Sequence, residues 1–526
     1  MPSALTYPGV YVEEIPSGVR TITGVATSIA AFVGKAPWGP VDDPVIITSF
    51  ADFERRFGGL SRNYPMGYAV KDFYLNGGQT AVIVRVFPGA TNGSTARYDV
   101  NGLLLKAASP GTWANTAIRV RVDQTNIPAA DQPNLFNLTI HNKTTGVTET
   151  YLGVTHNDTN MRVDRVLENA GSMLRFDAAE PFVPPVKPAT YHAAITPAVN
   201  DVWNDDTLSE AAATPSTGDG GTLWGADEGS ETNKTGIYAL QKTDLFNILC
   251  LSADTRDTDV PATVYQKALS YCRKRRAMLL VDAPRTWGDA NSISANGFQK
   301  LTALNLTGDV GRNAAIYYPR ILEADSQMDN QIATFPPSGA VAGIMARTDV
   351  TRGVWKAPAG VDASIVGAAG VAVKLTDEEN GLLNPVGINC LRTFPIIGSV
   401  VWGARTMRGA DVTPDDYKYV PVRRLALFIE ESLFRGLKWA VFEPNDEPLW
   451  AQIRLAGGAF MHNLFVQGAF QGGSPRDAYF VKCDKDTTTQ NDVNLGVVNV
   501  VVGFAPLKPA EFVVLKLTQI AGQIQA

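Results

Sequence analysis

Four aspartates are the residues of this sequence whose types and spacing best suit catalysis. Asp254, Asp257 and Asp259 follow one apolar run, LFNILCLS, and Asp282 ends another, AMLLVD. Because α/β proteins usually place ligands beyond the carboxyl ends of parallel strands, we expect these carboxylates to lie near one another. Such a group could hold a divalent cation and activate water, the chemistry of a metal-assisted hydrolase based on Asp254 and Asp282.

The surroundings of these aspartates argue against catalysis. Arg256 stands among them, and neither a nucleophile nor a general base accompanies them. Acidic loops after strands are commonly solvated, and position in a fold does not by itself establish a function. The favoured interpretation is therefore a solvated loop, with the hydrolase kept as an alternative and no catalytic residue assigned.

Other signatures of enzymes are missing from the sequence. It contains no Walker phosphate loop, dinucleotide fingerprint, nucleophile elbow or HExxH pair. Its four histidines are far apart, and its four cysteines form no CxxC pair. The sequence thus predicts no enzyme, no metal site, no cofactor site and cysteines that stay reduced.

Length and charge limit the class of protein. A chain of 526 residues with 45% hydrophobic content is long enough for several domains. Its 46 basic and 52 acidic residues give a net charge of -6, which lacks the basic excess that nucleic acids require. The N-terminus lacks the pattern of a secretory signal, and no apolar run has the length of a membrane span. We therefore expect a cytosolic protein that binds no nucleic acid and does not insert into membranes.

Alternating helix and strand patterns predict an α/β core in two parts. The first part covers 23–90 and includes the helical patterns SFADFERRFG and MGYAVKDFYLNGG and the strand TAVIVRVF. The second part covers 235–382 and contains a βαβ unit with parallel strands, LFNILCLS and AMLLVDAP. Between them, short alternating segments over 91–234 predict an antiparallel β insertion that ends in an exposed loop from 214 to 234.

The last third combines β and helical patterns. GINCLRTFP and SVVWGARTM predict two strands, and VRRLALFIEESLFRGLKWAVF predicts a long amphipathic helix with apolar residues at helical spacing up to Val441. A second helix is predicted to begin at the Asn445–Asp446 cap, with Pro448 in its first turn. Three further strands, AYFVKC, VVNVVVGFA and EFVVLKLTQI, are predicted to follow.

Both ends of the chain predict extended segments without a partner. The segment Gly9 to Ile15 alternates its side chains between two faces, and EFVVLKLTQI does the same. An isolated strand needs a sheet edge to satisfy its amides. The pattern therefore permits both segments to add as strands to a sheet edge, through Val10, Tyr11, Val12, Glu13, Ile15, Phe512, Val513, Val514, Leu515 and Leu517.

Four segments resemble the tail sheath protein family of contractile phages, tailocins and related contractile injection systems. They are TYPGVYVEEIPSGVRTITGVATSIAAFVGKAPWGP, FPPSGAVAGIMARTDVTRGVWKAPAG, LNPVGINCLRTFPIIGSVVWGARTM and YVPVRRLALFIEESLFRGLKWAVFEPNDEPLW. Together they cover about half of the chain, and their order also agrees with the family.

The resemblance implies a multidomain α/β and α+β fold. Its parts would be a conserved α/β sheath core, a peripheral antiparallel β insertion and extended terminal arms. The expected boundaries are an N-terminal linker arm at 1–22, core parts at 23–90 and 235–382, the insertion at 91–234, a conserved C-terminal module at 383–508 and a C-terminal linker strand at 509–526.

The resemblance also implies a function. Such a subunit polymerises as stacked rings around an inner tube, and its terminal arms add strands to the C-terminal sheets of neighbouring subunits. The sheath contracts to drive the tube through a target envelope. The implied partners are other copies of this chain, the inner tube protein, and baseplate and tail-terminator proteins. The implied location is the cytoplasm of the producing cell during assembly and then the tail or injection particle. The alternatives are the hydrolase with Asp254 and Asp282 and another phage-type scaffold protein.

Arg424, Arg435 and Lys438 of the first C-terminal helix are candidates for contact with the inner tube. A surface that grips a tube and later releases it favours screened charge contacts over a large apolar patch. The competing interpretation, a solvated helix face with local ion pairs, is favoured for this kind of pattern.

Overall fold

A computed structural model gives the fold of the chain. A single large sheet lies at its centre, and smaller sheets and helices surround it. The structure describes residues 20–88, 94–178, 182–193, 195, 201–224, 229–288 and 290–516.

The first part of the core has the predicted elements, β1 (Ala30–Gly34), β2 (Val45–Ile47), α1 (Phe50–Phe57), α2 (Met66–Leu75) and β3 (Ala81–Arg85). The side chain of Ser49 caps α1 by accepting a hydrogen bond from the Asp52 amide at 3.2 Å. Gly58 ends the helix with a φ of 94°, a conformation that favours glycine. Strands β1 and β3 are buried along their whole length.

The insertion comprises β4 (Arg97–Val100), β5 (Leu103–Ala107), α3 (Trp113–Ala117), β6 (Ile118–Asp123), β7 (Leu135–Asn142), β8 (Thr148–Thr155), α4 (Val163–Ala170) and β9 (Leu174–Phe176). It forms two three-stranded antiparallel sheets, with strand orders β4-β5-β9 and β6-β7-β8, as its alternating sequence predicts. Inward-facing residues of both sheets share one apolar core of their own.

The predicted exposed loop at 214–234 is only partly exposed. Leu223 is fully buried, and Trp224 is 6% exposed and donates a hydrogen bond from Nε1 to the carbonyl of Ser252 at 2.8 Å. The prediction of an exposed loop is wrong at these two residues because they pack into the core of the large sheet. The polar composition on either side of them hid this contact.

The second part of the core comprises β10 (Ile248–Leu251), α5 (Ala262–Arg275), β11 (Met278–Asp282), α6 (Ala290–Ala303), β12 (Ala314–Tyr318), β13 (Ile321–Asp325), β14 (Gln331–Phe335), α7 (Ser338–Arg352), β15 (Ala368–Val371), α8 (Asp377–Leu383), β16 (Ile388–Phe394) and β17 (Gly398–Val401). The predicted βαβ unit is present, with β10 and β11 parallel. Strands β13, β14 and β15 form a separate antiparallel sheet.

The large sheet has eight strands in the order β17-β16-β12-β11-β10-β1-β3-β2. The six inner strands are parallel, and β2 and β17 pair antiparallel at the two edges. The boundary predicted at 383 is therefore misplaced, because β16 and β17 complete this sheet and belong to the core. An apolar, β-branched sequence such as theirs suits a strand of the core sheet and a strand of the C-terminal module equally well. Sequence alone therefore could not assign them to one or the other.

Helix α7 lies in a Gly/Ala-rich stretch for which the sequence predicted no element. Two glycines allow it to pack against the backbone of α2: a Cβ at Gly339 would come within 2.1 Å of the carbonyl oxygen of Ala69, and one at Gly343 within 2.4 Å of that of Phe73. Any side chain at these positions would push the helices apart. The glycines that discourage a helix prediction are thus the residues that allow this contact.

The C-terminal part comprises α9 (Val420–Gly436), α10 (Glu447–Val466), α11 (Pro475–Ala478), β18 (Tyr479–Lys482), α12 (Gln490–Asn494) and β19 (Val501–Phe504). The predicted cap of α10 is present, since the Asp446 side chain accepts from the Leu449 amide at 3.2 Å. Helix α9, however, ends five residues before Val441. Glycine is a poor helix former at Gly436, a 3₁₀ turn follows, and Val441 is 62% exposed.

Candidate assembly interface

Residues 20–28 run along α9 towards its N-terminal end. The guanidinium of Arg20 lies 4.5 Å from the ring centre of Trp439, just beyond the C-terminal end of the helix. Further along, Arg424 near the start of α9 donates a hydrogen bond to the carbonyl of Thr27 at 2.9 Å. The described part of the chain therefore begins beside the C-terminal end of α9. The N-terminal residues predicted to add to a neighbour, Val10, Tyr11, Val12, Glu13 and Ile15, lie outside the described residues.

The C-terminal segment from 505 to 516 follows β19 and lies across the surface of the subunit. The sequence predicts a strand here, but none of the described residues of this segment pairs in a strand. Its apolar side chains face solvent, with exposed fractions of 75% at Phe512, 83% at Val513, 77% at Val514 and 84% at Leu515. Leu517 lies outside the described residues. A β-prone segment without a sheet edge in its own subunit requires one from elsewhere.

One acidic side chain joins this segment to the core. Both carboxylate oxygens of Glu511 accept from the guanidinium of Arg405, at 2.8 Å from Nε and 2.6 Å from Nη2. The hydroxyl of Tyr419, the residue before α9, donates to the same carboxylate at 3.3 Å. The C-terminal segment is therefore attached at the N-terminal end of α9.

Arg20, where the described chain begins, and Glu511 consequently lie near opposite ends of one helix. A helix of 17 residues is about 25 Å long. Helix α9 thus separates these two points by a rigid element of known length.

Strands β18 and β19 form a two-stranded antiparallel sheet with the register Tyr479↔Phe504 to Lys482↔Val501. Its inner face packs on α10, where Val481 lies against Gly457. Neither outer edge of this hairpin pairs with another strand among the described residues. A sheet of two strands is marginal alone and presents free N–H and C=O groups at both edges. This hairpin can accept additional strands.

The structure separates the three basic residues proposed to face a tube. Arg424 is 4% exposed and binds the buried carboxylate of Asp349 through Nη1 at 2.8 Å and Nη2 at 2.6 Å. A side chain buried in this way cannot contact another protein in this conformation, so assigning Arg424 to a tube contact is a mistake. Helical periodicity could not reveal this, because Asp349 belongs to α7.

Arg435 and Lys438 are closer to solvent than Arg424. Arg435 pairs with Asp244 at 2.6 Å and with Glu431 at 2.7 Å, and both pairings raise the pKa of its guanidinium. The ammonium of Lys438 lies 5.5 Å from the ring centre of Phe434. Their contact with a tube stays a prediction.

The four aspartates do lie at the carboxyl edge of the parallel strands, each bound to another part of the protein. Asp254 pairs with Lys35 at 2.6 Å, Asp259 with Arg320 at 2.5 Å and Asp257 with Arg285 at 3.4 Å. Across the described residues, no three His, Cys, Asp or Glu side chains come together in a way that could hold a metal ion. Besides burial, the proximity of Asp259 raises the pKa of the Asp282 carboxyl, but the ion-pair partners of the other three aspartates are basic side chains.

Asp282 has the most perturbed environment of these aspartates. Its carboxylate accepts from the amide of Ser338 at 3.0 Å and from the hydroxyl of the same residue at 2.8 Å. Burial raises the pKa of Asp282 to about 6, against the lowering effect of Arg320 and of the hydrogen bonds. Both of its bonds go to the start of α7, so the carboxylate joins the sheet to that helix.

Sequence reasoning missed the Arg405–Glu511 contact. The two charged residues lie 106 positions apart, and no local pattern connects them. The hairpin strands were predicted, but nothing in their composition distinguishes free edges from paired ones. Within the described residues, no helix combines the length and the hydrophobicity that a membrane crossing requires.

Comparison with known proteins identifies relatives of both the core and the C-terminal part. The family described as phage tail sheath protein central domain matches residues 232–407, and the phage tail sheath C-terminal domain matches 412–520. The chain is 25% identical over 473 residues to the tail sheath protein of Burkholderia phage BcepMu, a match that covers 88% of this chain and 87% of the relative.

Solved structures share the fold. The sheath complex of an extracellular contractile injection system, PVC, in its contracted state has a TM-score of 0.58 at 22% identity, with 98% of each chain covered. The sheath tail protein Lin1278 from Listeria innocua has a TM-score of 0.56 at 14% identity, covering 93% of this chain and 96% of the other. These similarities extend over the core, the insertion and the C-terminal part together.

Proposed function

This chain belongs to the phage tail sheath family, as a structural subunit, and we propose that it polymerises by exchanging its terminal segments with neighbouring copies. The polymer would be a sheath of stacked rings around an inner tube, and its contraction would drive the tube through a target envelope. We propose no enzymatic activity for it.

The observation that carries the exchange proposal is the state of the C-terminal segment. Four consecutive β-prone apolar residues, Phe512 to Leu515, are each at least 75% exposed in the isolated subunit. Burying four such side chains against a neighbour would contribute about 1.5–3 kcal/mol each. Main-chain hydrogen bonds of an added strand would contribute about 0.5–1.5 kcal/mol each. The subunit thus exposes a segment that gains stability only by finding a partner.

The hairpin of β18 and β19 is the proposed acceptor in the neighbouring copy. Its edges are free among the described residues, and it packs on α10 close to the base of the C-terminal segment. The proposed N-terminal donor would leave from the other end of α9. Each subunit would then donate from two points that are held about 25 Å apart by one helix.

Strands exchanged in this way would allow the subunits of the lattice to rearrange without dissociating from one another. On contraction the folded bodies rotate and repack, while the exchanged strands stay paired with their acceptors. The free energy for this movement would come from improved contacts between subunits in the contracted lattice. The described fold supports this division, since a large packed core is joined to extended segments at both ends.

The remaining proposed partners are those that the family resemblance implies. We propose that the sheath encloses an inner tube protein and meets baseplate and tail-terminator proteins at its ends. Arg435 and Lys438 are the proposed tube contacts. Assembly would take place in the cytoplasm of the producing cell, and the sheath would then form part of the tail or injection particle.

Negative-stain microscopy of the full chain tests the exchange. We expect striated tubes or stacked rings from the parent and none from a variant that carries Val513→Asp and Leu515→Asp. The matched control is Leu152→Asp, which places a charge on a residue of β8 that is 67% exposed in the insertion. Tubes from the double variant, or a monodisperse small oligomer from the parent, would refute the proposal.

A deletion tests the N-terminal segment separately. Removing residues 1–15 should abolish long tubes while leaving the folded subunit intact, because these residues precede every described element. Normal tubes from this variant would restrict strand donation to the C-terminal segment. Closed shells from the parent would instead support another phage-type scaffold protein.

A further inference from the structure

We propose that Glu511 is the fixed pivot of the C-terminal segment: the chain up to this residue stays bound to its own subunit through Arg405, and only the chain beyond it moves to a neighbour. The inference rests on the proposed exchange of terminal segments and adds where the moving part begins. It assigns to Glu511 and Arg405 a positioning role in assembly.

The geometry of the contact is that of a clamp. The side chain of Arg405 is 1% exposed, and its fork-shaped guanidinium meets both oxygens of the Glu511 carboxylate. Its remaining nitrogen, Nη1, donates to Asp411 at 2.9 Å and to the carbonyl of Gly409 at 3.3 Å. Paired, charge-assisted hydrogen bonds of this kind are among the strongest that side chains form.

Removing Glu511 from the clamp would be unfavourable for Arg405. Nε and Nη2 of a nearly inaccessible guanidinium would both lose their acceptors, because Asp411 and Gly409 bind only Nη1. A buried charge that loses its partner is strongly destabilising. The core therefore favours a bound Glu511 whatever the outer chain does.

Glu511 is the last polar attachment of the described C-terminal segment. Backbone contacts hold the chain as far as Pro506: the Gln471 amide donates to the carbonyl of Ala505 at 3.0 Å, and Phe470 bridges to Pro506. Among the described residues, no backbone hydrogen bond ties 507–516 to the rest of the subunit. The Glu511 side chain is thus the polar attachment of this segment, and the four residues that follow it are each at least 75% exposed.

The pivot limits how far the donated strand can reach. Residues 512–517, which include all the proposed C-terminal donor residues, can span at most about 20 Å when fully extended. The acceptor hairpin of the neighbour must then lie within about that distance of Arg405 in every lattice state. A pivot placed earlier, at the prolines after β19, would allow a longer reach and a less defined direction.

Distances between paired spin labels test the pivot directly. One label is placed on α9 by Glu430→Cys and the other just before the pivot by Ala510→Cys; the four native cysteines are buried and free. The labelled chain is diluted into unlabelled chain, so that only distances within one subunit are measured. We expect the same distance in the free subunit, in assembled sheath and in contracted sheath.

A matched pair of labels reports on the moving part. With Glu430→Cys and Val514→Cys, we expect the distance to shift by at least about 5 Å on assembly, the spacing of neighbouring strands. When Glu511→Gln is added to the first labelled pair, the distribution of distances between the labels at Glu430→Cys and Ala510→Cys should broaden. The critical concentration for assembly of Glu511→Gln should rise about tenfold, because the segment loses its fixed direction. The neutral control is Asp377→Asn, which removes a carboxylate from an ion pair with Arg392 instead.

The outcomes separate the pivot from the exchange on which it rests. If the label at Ala510→Cys moves together with that at Val514→Cys on assembly, the pivot is refuted while the exchange stands. If neither label moves, and a chain shortened after Glu511 still forms tubes, the exchange itself is refuted. An unchanged critical concentration in Glu511→Gln would also overturn the positioning role.

Discussion

Arg424 connects α9 to α7 and to the segment that contains Thr27. Its replacement tests whether this part of α9 stabilises the fold or binds a tube. Its guanidinium binds Asp349 of α7 and the carbonyl of Thr27, and the two charged side chains are 4% and 3% exposed. Removing one partner of such a buried pair costs about 3–5 kcal/mol, because the other is left as an uncompensated charge. We therefore expect Arg424→Ala to lower the free energy of unfolding by about that amount.

Urea denaturation followed by tryptophan fluorescence measures this loss on the unassembled subunit. The compensating variant combines Arg424→Met with Asp349→Leu, which removes both charges and fills the site with apolar atoms. We expect it to regain most of the lost stability, since a buried pair and an apolar replacement of similar volume differ little. The surface control is Lys274→Ala, which breaks an exposed pair with Glu231 and should change stability by less than about 1 kcal/mol.

A different result would refute the structural interpretation of this helix. If Arg424→Ala changed the unfolding free energy by less than about 1 kcal/mol and weakened binding to the inner tube, the residue would have to face the tube. If the compensating variant were no more stable than the single one, the loss would not come from the unpaired charge on Asp349.

Three further predictions follow from close packing and buried charge. Gly343→Ala should lower stability by about 1–3 kcal/mol by forcing α7 away from α2, whereas Gly458→Ala, whose Cβ would meet no atom within 4 Å, should raise it by up to about 1 kcal/mol; thermal unfolding distinguishes them. Because the folded-state pKa of Asp282, about 6, lies above its ordinary value of 3.8, its contribution to stability is full below pH 3.8 and is lost as the pH rises to 6. Asp282→Asn should remove this decline, so the stability difference between variant and parent should change by about 2.4 kcal/mol between pH 4 and 7 in urea titrations. Arg85→Met should cost about 3 kcal/mol or more in the same assay, because it leaves the carbonyls that this buried guanidinium binds without a donor.

Local sequence patterns were sufficient to predict a helix or strand where residues within it or beside it determine its structure. Helix α1 has a serine cap and a glycine stop, and α10 has an aspartate cap followed by proline, so both limits of α1 and the start of α10 could be predicted. The strands of the insertion could be predicted because one face of each is buried and the other is not. In these cases the residues that decide the structure lie within a few positions of it.

Prediction failed where the decisive contact is distant in sequence. Helix α7 was missed because its glycines suit the backbone of α2, far earlier in the chain. The strands β16 and β17 were assigned to the wrong unit because the pairing of β16 with β12, and of β17 with β16, leaves no mark on their own sequence. The end of α9 was placed too late because apolar periodicity continues beyond Gly436.

At the candidate site, too, features with a local cause could be predicted and features that depend on distant residues could not. The exposure of Phe512 to Leu515 fits the prediction that these residues lack a partner in their own chain. The acidic cluster was correctly expected at one edge of the sheet, but only the fold shows that Lys35, Arg320 and Arg285 pair with it. Charge partners from other elements decide whether a carboxylate can do chemistry, and the sequence does not identify them.

The insertion leaves the large sheet after β3 and returns to the same place. The amide of Gly221 donates to the carbonyl of Pro88 at 2.6 Å, so the entry and exit of the whole excursion are adjacent. A foreign domain whose own ends lie close together could therefore be inserted between these two residues without changing the order or the connections of the strands in the large sheet. The position would serve as an attachment point for displaying enzymes or binding proteins along a particle.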